Sequence, residues 1–220
     1  MEIIAVCDLK KYYETGSQTV KALDNVNLTV NSGEFVAVVG ASGSGKTTLL
    51  NLLGGIDYPT EGRVIIDGQE IYLLNDEERT IFRRRKIGFV FQAYNLIPIL
   101  NVYDNVTLPM ELDGKRAEPS DVEDILNKLG ILDKKYAFPH QLSGGQQQRA
   151  AIARALVSKP VILLADEPTG NLDSTAGEEV LQLLLDAKEV YNQTILMITH
   201  NGDYARTADR IVQLKDGRIV

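Results

Sequence analysis

Gly40-Ala41-Ser42-Gly43-Ser44-Gly45-Lys46-Thr47 is the stretch that decides the fold. The apolar run before it, Phe35-Val36-Ala37-Val38-Val39, is typical of a buried parallel strand. Leucines at positions 49, 50, 52 and 53 follow it and indicate a helix. The stretch matches G-x-x-x-x-G-K-[ST], in which glycines let the backbone wrap a phosphate chain at a helix N-terminus. A strand, a phosphate loop and a helix in this order predict a nucleotide-binding core.

The residue types of this loop predict distinct contacts with a nucleotide. Lys46 would reach the β- and γ-phosphates, the Thr47 hydroxyl would bind Mg²⁺, and Thr48 would donate to the α-phosphate. Backbone N–H groups complete the expected cradle, which consists of Gly40, Ser42, Gly43, Ser44 and Gly45.

The hydrophobic pattern of the remaining chain alternates between strands and helices. Further strands are predicted over 26–30, 63–68, 87–91, 161–166 and 194–199, and a helix around 180–187. Between about 101 and 157 apolar residues fall at helical spacing without a strong strand, and residues 211–219 predict a hairpin. This alternation indicates an α/β fold around a parallel sheet, with a helical insert.

Composition and charge argue against several classes of protein. The chain has 220 residues, a net charge of −7 and 44% hydrophobic residues, enough for one large domain or two small ones. No apolar stretch is long enough to cross a bilayer, and the N-terminus lacks the features of a signal peptide. The acidic balance argues weakly against non-specific nucleic-acid binding. A lone Cys7 leaves no disulfide framework, is expected to be a small buried hydrophobe, and suits a reducing cytoplasm.

Two adjacent acids, Asp166 and Glu167, end one of the predicted strands. An aspartate at the carboxyl end of a parallel strand suits the Mg²⁺ side of a phosphoryl-transfer site. Glu167 would hold a water against the γ-phosphate, as general base or as water orienter. Alone, the pair could equally be two solvated acids, but the phosphate loop in the same chain favours the catalytic interpretation.

A second glycine-rich helix start, Leu142-Ser143-Gly144-Gly145-Gln146, lies far along the chain from the first. Good helix formers follow it, so its N–H groups predict another anion-binding helix N-terminus. A single nucleotide does not need two phosphate cradles in one chain. We therefore expect this segment to serve a nucleotide held by another copy, and the alternative is an ordinary glycine-rich helix cap.

In the order of these motifs the whole chain resembles the nucleotide-binding subunits of ABC transporters. The phosphate loop corresponds to their Walker A motif, Asp166-Glu167 to the end of Walker B, and Leu142 to Gln146 to their signature segment. The resemblance implies a P-loop NTPase with a RecA-like parallel sheet core, an antiparallel β subdomain and an inserted helical subdomain. It implies one nucleotide-binding domain over 1–220, with 1–92 and 158–220 as the ATP-binding core and β subdomain. Residues 93–157 would be the helical subdomain that carries the signature segment.

The resemblance also implies roles for residues that would mean little alone. Gln92 would reach Mg²⁺ and the attacking water, completing a metal set with Thr47 and Asp166. His200 would stabilise the transferring γ-phosphate, and Asp173 would lie at a dimer interface. Lys11 to Gly16 resembles the loop whose aromatic residue stacks on adenine, and we favour Tyr13 for this role over the neighbouring Tyr12.

The implied activity is hydrolysis of ATP with Mg²⁺ by an ATP-dependent homodimer, whose two nucleotides lie between each Walker A loop and the opposite signature segment. The dimer would drive a separate integral membrane permease from the cytoplasmic face of the cell membrane, without direct nucleic-acid contact. The permease is expected near Ala93 to Asp104.

Three segments, 53–62, 91–98 and 165–173, resemble a narrower branch of this family. That branch contains macrolide exporters, lipoprotein-release ATPases and bacitracin-type peptide-resistance pumps, which implies export or extraction of a peptide, antibiotic or lipoprotein-like cargo. The alternatives are an ATPase of a non-transport complex, such as a cell-division signalling complex, and a soluble ABC ATPase that acts on nucleic acid or ribosomes.

Overall fold

The computed structural model describes residues 1–16 and 18–220, and its strands belong to two sheets. The strands are β1 (Glu2–Thr15), β2 (Gln18–Asn31), β3 (Phe35–Val39), β4 (Glu61–Ile66), β5 (Gln69–Glu70), β6 (Ile87–Phe91), β7 (Ile162–Asp166), β8 (Thr194–Ile198), β9 (Arg210–Lys215) and β10 (Arg218–Ile219). The helices are α1 (Lys46–Leu53), α2 (Asp76–Lys86), α3 (Val102–Leu112), α4 (Pro119–Lys128), α5 (Gly144–Leu156), α6 (Ser174–Tyr191) and α7 (Gly202–Ala205), with 3₁₀ turns at Leu132–Lys134 and Pro139–Gln141.

The larger sheet has the order β10-β9-β3-β8-β7-β6 and is parallel except for the terminal β10. Strands β3, β7 and β8 are buried along nearly their whole length, as their uninterrupted apolar sequences predict. The carboxyl ends of parallel strands meet at one edge of a sheet, so the residues that follow β3, β6, β7 and β8 gather there. The predicted α/β fold is confirmed.

The smaller sheet, in the order β2-β1-β4-β5, is antiparallel and is built on the long β1–β2 hairpin. Only residues 26–30 of β2 are predicted from sequence, because residues 18–21 at the outer end of this strand are all exposed. Cys7 is only partly buried, contrary to the expectation for it. Its neighbour Val6 points into the core, so Cys7 lies on the other face of β1, paired with Arg63 of β4.

Two apolar cores lie on opposite faces of the parallel sheet, because strand side chains alternate between them. One core holds Leu163 and Ala165 of β7 with α3, α4, α5 and α6, so the helices of the predicted insert lie together. The other holds Leu164 of β7 with α1 and the antiparallel sheet. In the described part of the chain, no helix is both long enough and apolar enough to span a membrane.

Helix α2 has no counterpart in the sequence prediction, since its residues are almost all polar or charged. Asn75 caps its N-terminus by accepting a hydrogen bond from the Glu78 N–H, and the Glu78 carboxylate accepts one from the Asn75 N–H. A buried arginine, Arg79, anchors the helix, with its guanidinium 4.4 Å from the centre of the Tyr58 ring. The cap and the cation–π contact help to hold the helix, together with Phe82, which packs against the core, and apolar periodicity does not reveal the first two.

Candidate active site

The phosphate loop occupies the edge of the sheet between β3 and α1, and two of its glycines explain its shape. Gly45 has a φ of 102°, and a Cβ there would lie 2.2 Å from the Ala22 carbonyl oxygen of β2. A Cβ on Gly40 would lie 2.2 Å from the Leu214 carbonyl oxygen of β9. Both contacts are too short for any side chain, so the loop packs tightly between the two sheets.

The Lys46 ammonium lies at the centre of this loop and is almost fully buried. Its Nζ donates hydrogen bonds to the Gly40 carbonyl oxygen at 2.8 Å and to the Ala41 carbonyl oxygen at 2.9 Å. A cavity of about 400 Å³ opens beside it, lined by most of the loop and by Thr48, Glu167 and His200. A buried cation and a helix N-terminus beside one cavity make a site for an anion such as a phosphate chain.

Glu167 and His200 lie together at the rim of this cavity, although 33 residues separate them. The Nδ1 of His200 is 3.0 Å from Oε2 of Glu167. Glu167 has a φ of 45°, in the left-handed region that non-glycine residues rarely adopt. Its N–H donates to the Ile198 carbonyl oxygen at 3.0 Å, which fixes that conformation. Residues held in this region cluster at functional sites, where the surrounding structure compensates for their strain.

Asp166 is the last residue of β7, immediately before Glu167 in the chain, and is about half buried. Burial and the charge of Glu167 raise its pKa, while Thr47 and Lys46 act in the opposite direction. The Thr47 hydroxyl and the Asp166 carboxylate are hard oxygen ligands of the kind that Mg²⁺ prefers. Two adjacent carboxylates in a half-buried setting also leave negative charge that a divalent cation would neutralise. These residues therefore fit a magnesium ion bound together with a substrate phosphate.

Two further predicted residues, Gln92 and Asp173, do not line the cavity and have partners of their own. The Gln92 side chain donates to Oδ1 of Asn171 at 3.1 Å, and Nδ2 of Asn171 donates to the Gln92 carbonyl oxygen at 2.9 Å. This link between the segments after β6 and β7 is not anticipated by the sequence. Asp173 caps α6 by accepting a hydrogen bond from the Ala176 N–H at 2.9 Å.

The signature segment is separate from the cavity of its own chain. Ser143 caps α5, accepting from the Gln146 N–H at 3.3 Å, and Gln146 accepts from the Ser143 N–H at 3.0 Å. Neither Ser143, Gly144, Gly145 nor Gln146 lines the cavity beside Lys46. Ser143 is exposed at this helix start, whereas Gly144, Gly145 and Gln146 are half-buried.

The two tyrosines considered for base stacking have different surroundings. The Tyr13 hydroxyl donates to Asp57 Oδ2 at 2.7 Å, and the side chain of Thr48, which lines the cavity, lies beside that hydroxyl. The Tyr12 hydroxyl donates to Asp24 Oδ1 at 2.7 Å, and Asp24 also binds Arg218 of the C-terminal hairpin. Tyr13 is thus the one placed beside the helix that follows the phosphate loop.

This fold and this cavity define a P-loop ATPase cassette. The family model described as ABC transporter matches residues 23–170, and the chain belongs to this family. It is therefore the ATP-binding subunit of an ABC transporter, an ATPase of a family that uses ATP with Mg²⁺.

Similar proteins match nearly the whole chain. An uncharacterized ABC transporter ATP-binding protein of Methanocaldococcus jannaschii, MJ0796, is 46% identical over 225 residues, which covers 99% of this chain and 95% of that protein. The dimeric structure of MJ0796 in a post-hydrolysis state, bound to ADP and Pi, has a TM-score of 0.91 and 44% identity, covering 99% of this chain and 96% of that one. The macrolide export ATP-binding/permease protein MacB of Syntrophobacter fumaroxidans is 44% identical over 223 residues, covering all of this chain and 31% of MacB.

Proposed function

We propose that two copies of this chain hydrolyse ATP at shared sites and thereby drive a separate membrane permease. The contact between Glu167 and His200 at the rim of the Lys46 cavity is the observation that carries this proposal. It supplies what a phosphate cradle alone lacks, a base and a polar group next to the place where a γ-phosphate would end.

The loop residues would hold the nucleotide, with Lys46 at the β- and γ-phosphates and Thr48 at the α-phosphate. The N–H groups of the cradle would bind phosphate oxygens, and Tyr13 would stack on adenine. Thr47, Asp166 and Gln92 would hold Mg²⁺, which when bound neutralises charge that develops on the phosphate oxygens. Gln92 would first have to exchange its hydrogen bond with Asn171.

Glu167 would accept a proton from the attacking water. Oε2 of Glu167 faces His200, which leaves Oε1 for that water. His200 would orient the carboxylate and stabilise the transferring phosphoryl group together with Lys46. Since phosphoryl transfer depends mainly on positioning and electrostatics, these fixed charges would supply most of the rate enhancement.

A second copy would complete each site. The helix start at Ser143, Gly144, Gly145 and Gln146 presents N–H groups away from its own cavity, which suits the γ-phosphate of a facing copy. Asp173 would lie at the same interface. The dimeric structure of the MJ0796 cassette with ADP and Pi supports this arrangement.

The chain would act as one nucleotide-binding domain, with residues 93–157 as the helical subdomain and 1–92 and 158–220 as the ATP-binding core. It would bind the cytoplasmic face of the cell membrane through its permease. The similarity to MacB supports export, and we propose an antibiotic, peptide or lipoprotein-like cargo.

Glu167→Gln tests the assigned chemistry. We expect hydrolysis to fall by at least about 100-fold while ATP binding persists, because the amide cannot accept the proton from water. Release of phosphate and binding of labelled ATP would be measured on the same preparation. Glu189→Gln, an exposed change at the far end of α6, is the matched control and should hydrolyse ATP normally. Wild-type turnover by Glu167→Gln would show that another group activates the water.

A further inference from the structure

Three side chains from distant parts of the sequence meet beside the nucleotide cavity: Lys11 and Tyr13 of β1, and Asp57 of the loop after α1. The Tyr13 hydroxyl donates to Asp57 Oδ2 at 2.7 Å. The Lys11 ammonium donates to Asp57 Oδ1 at 2.8 Å and lies 4.7 Å from the centre of the Tyr13 ring. One carboxylate thus joins two residues of β1 to the loop that follows the phosphate-binding helix.

The backbone at Asp57 is fixed to that helix. The Tyr72 hydroxyl lies 2.7 Å from the carbonyl oxygen of Asp57 and 2.7 Å from that of Leu52 in α1. Burial opposes ionisation of Asp57, but hydrogen bonds from Lys11 and Tyr13 hold its pKa below the ordinary value. Asp57 therefore acts as a tether for the residues of β1. Its carboxylate is charged at neutral pH and is rigidly connected to the helix that begins at Lys46.

Tyr13 needs such a tether because its surroundings alone do not fix it. It is 39% exposed and lies near the end of the β1–β2 hairpin, opposite Val20, which lines the cavity. The Lys11 cation covers part of its ring, in the geometry of a cation–π contact. The carboxylate fixes the hydroxyl end of the ring, and the cation leaves the opposite face for an aromatic ligand.

We propose that Asp57, together with Lys11, positions the Tyr13 ring for the base of the nucleotide. The inference rests on the stacking role proposed above for Tyr13. A ring that is already oriented loses less conformational entropy when the base binds, so the tether raises affinity for ATP without touching the phosphates.

Asp57→Ala tests this through a ligand that lacks a base. We expect ATP to bind about 5-fold more weakly, as for the loss of one ordinary hydrogen bond, while inorganic tripolyphosphate binds as before. Both affinities would be measured by competition with a fluorescent ATP. Glu61→Ala is the matched control, because it breaks the 2.6 Å ion pair between Lys10 and Glu61 without touching Tyr13, and should change neither affinity.

Combining Asp57→Ala with changes at Tyr13 distinguishes a positioning role of Asp57 from a general loss of structure. Tyr13→Phe keeps the ring and removes the hydroxyl, so it should weaken ATP binding about as much as Asp57→Ala. In a Tyr13→Ala background, Asp57→Ala should have no further effect on ATP affinity.

The outcomes are distinguishable. If Tyr13→Ala leaves ATP affinity unchanged, the stacking role is wrong and the inference fails with it. If Tyr13→Ala weakens ATP binding but Asp57→Ala does not, the tether alone is wrong. If Asp57→Ala weakens ATP and tripolyphosphate equally, Asp57 maintains the loop as a whole and does not position the base.

Discussion

At the scale of single residues, Asp166 shows how this site is built at the expense of stability. Its carboxylate is half buried next to Glu167, and both burial and that neighbour raise its pKa. A raised folded-state pKa means that the folded protein holds the proton more tightly than the unfolded chain does. Stability is therefore lost as the pH rises from the ordinary pKa of an aspartate through the raised value, and the loss persists above it.

Asp166→Asn should accordingly stabilise the nucleotide-free protein at neutral pH, because it removes an ionised group that opposes folding. We expect its melting temperature to exceed that of the wild type by a few degrees. The gain should shrink as the pH falls through the raised pKa and vanish below the ordinary aspartate pKa of about 4, where the wild-type carboxyl is protonated in both the folded and the unfolded state. Thermal scans across this pH range would measure both effects. Asp124→Asn, an exposed change on α4, should show no such gain. A lower melting temperature for Asp166→Asn at neutral pH would contradict this account.

Single residues also show where sequence reasoning reaches its limit. The cradle around Lys46 and the acids at 166 and 167 are anticipated, because each occurs in one contiguous motif with a known chemical purpose. The triad of Lys11, Tyr13 and Asp57 is not anticipated, since 46 residues separate Lys11 from its carboxylate and no spacing pattern links them. Contacts of this kind depend on how two sheets and a helix pack, which one sequence does not state.

At the scale of elements, residues 97–101, which lead into α3, are held by one buried side chain. Asn105 of α3 is fully buried, and its Oδ1 accepts from the Ile97 N–H at 2.7 Å. Its Nδ2 donates to the carbonyl oxygens of Ile97, Leu100 and Asn101 at 2.9 to 3.1 Å. The sequence predicts a permease contact near this segment, but not what shapes the segment.

Asn105→Ala should loosen this segment, because it leaves the Ile97 N–H and the Leu100 carbonyl oxygen without this partner. The carbonyl oxygens of Ile97 and Asn101 keep hydrogen bonds from the backbone N–H groups of Leu100 and Asn105. We expect the free energy of unfolding to fall by about 2 kcal/mol. Urea denaturation would measure the loss, and hydrogen exchange at the Ile97 amide should become faster. An exposed asparagine on α4, Asn127, provides the control, since its change to alanine should alter stability by less than about 0.5 kcal/mol. An unchanged Ile97 amide would show that the loop is held by other contacts.

Elements differ in how readily the sequence predicts them. Strand β6 is predicted to the residue, because a buried parallel strand is a short apolar run with sharp ends. Helix α2 and most of β1 are not predicted, since the helix relies on a capping box and one buried arginine, and the outer hairpin buries little. A buried segment is recognisable by its apolar composition, whereas caps and isolated polar anchors change the composition of a segment very little.

At the scale of the whole molecule, each chain holds a phosphate cradle and, away from it, a helix start capped by the exposed Ser143. The proposed dimer brings the cradle of one chain and the helix start of the other together. A negative charge introduced at position 143 would then oppose formation of the dimer. Aspartate and asparagine cap helices about as well as serine does, but only aspartate adds a negative charge facing a phosphate.

In a Glu167→Gln background, Ser143→Asp should therefore bind ATP as a monomer, while Ser143→Asn should still dimerise when ATP is added. Size-exclusion chromatography with and without ATP would measure the state of each. Equal melting temperatures of the two variants would establish that the cap is intact in both. If Ser143→Asp dimerises as readily as Ser143→Asn, this helix start does not meet a phosphate of the facing copy.

The packing of Gly40 against β9 has a consequence for how the protein is made. Strand β3 pairs with β8 and β9, and the Gly217 N–H donates to the Ser44 carbonyl oxygen at 3.1 Å. The ribosome thus synthesises the phosphate loop well before the strands that support it, since β8 and β9 lie more than 140 residues further along the chain. A nascent chain carries the loop sequence long before it has a loop able to bind ATP, because these non-local pairings must wait for β8 and β9 to emerge.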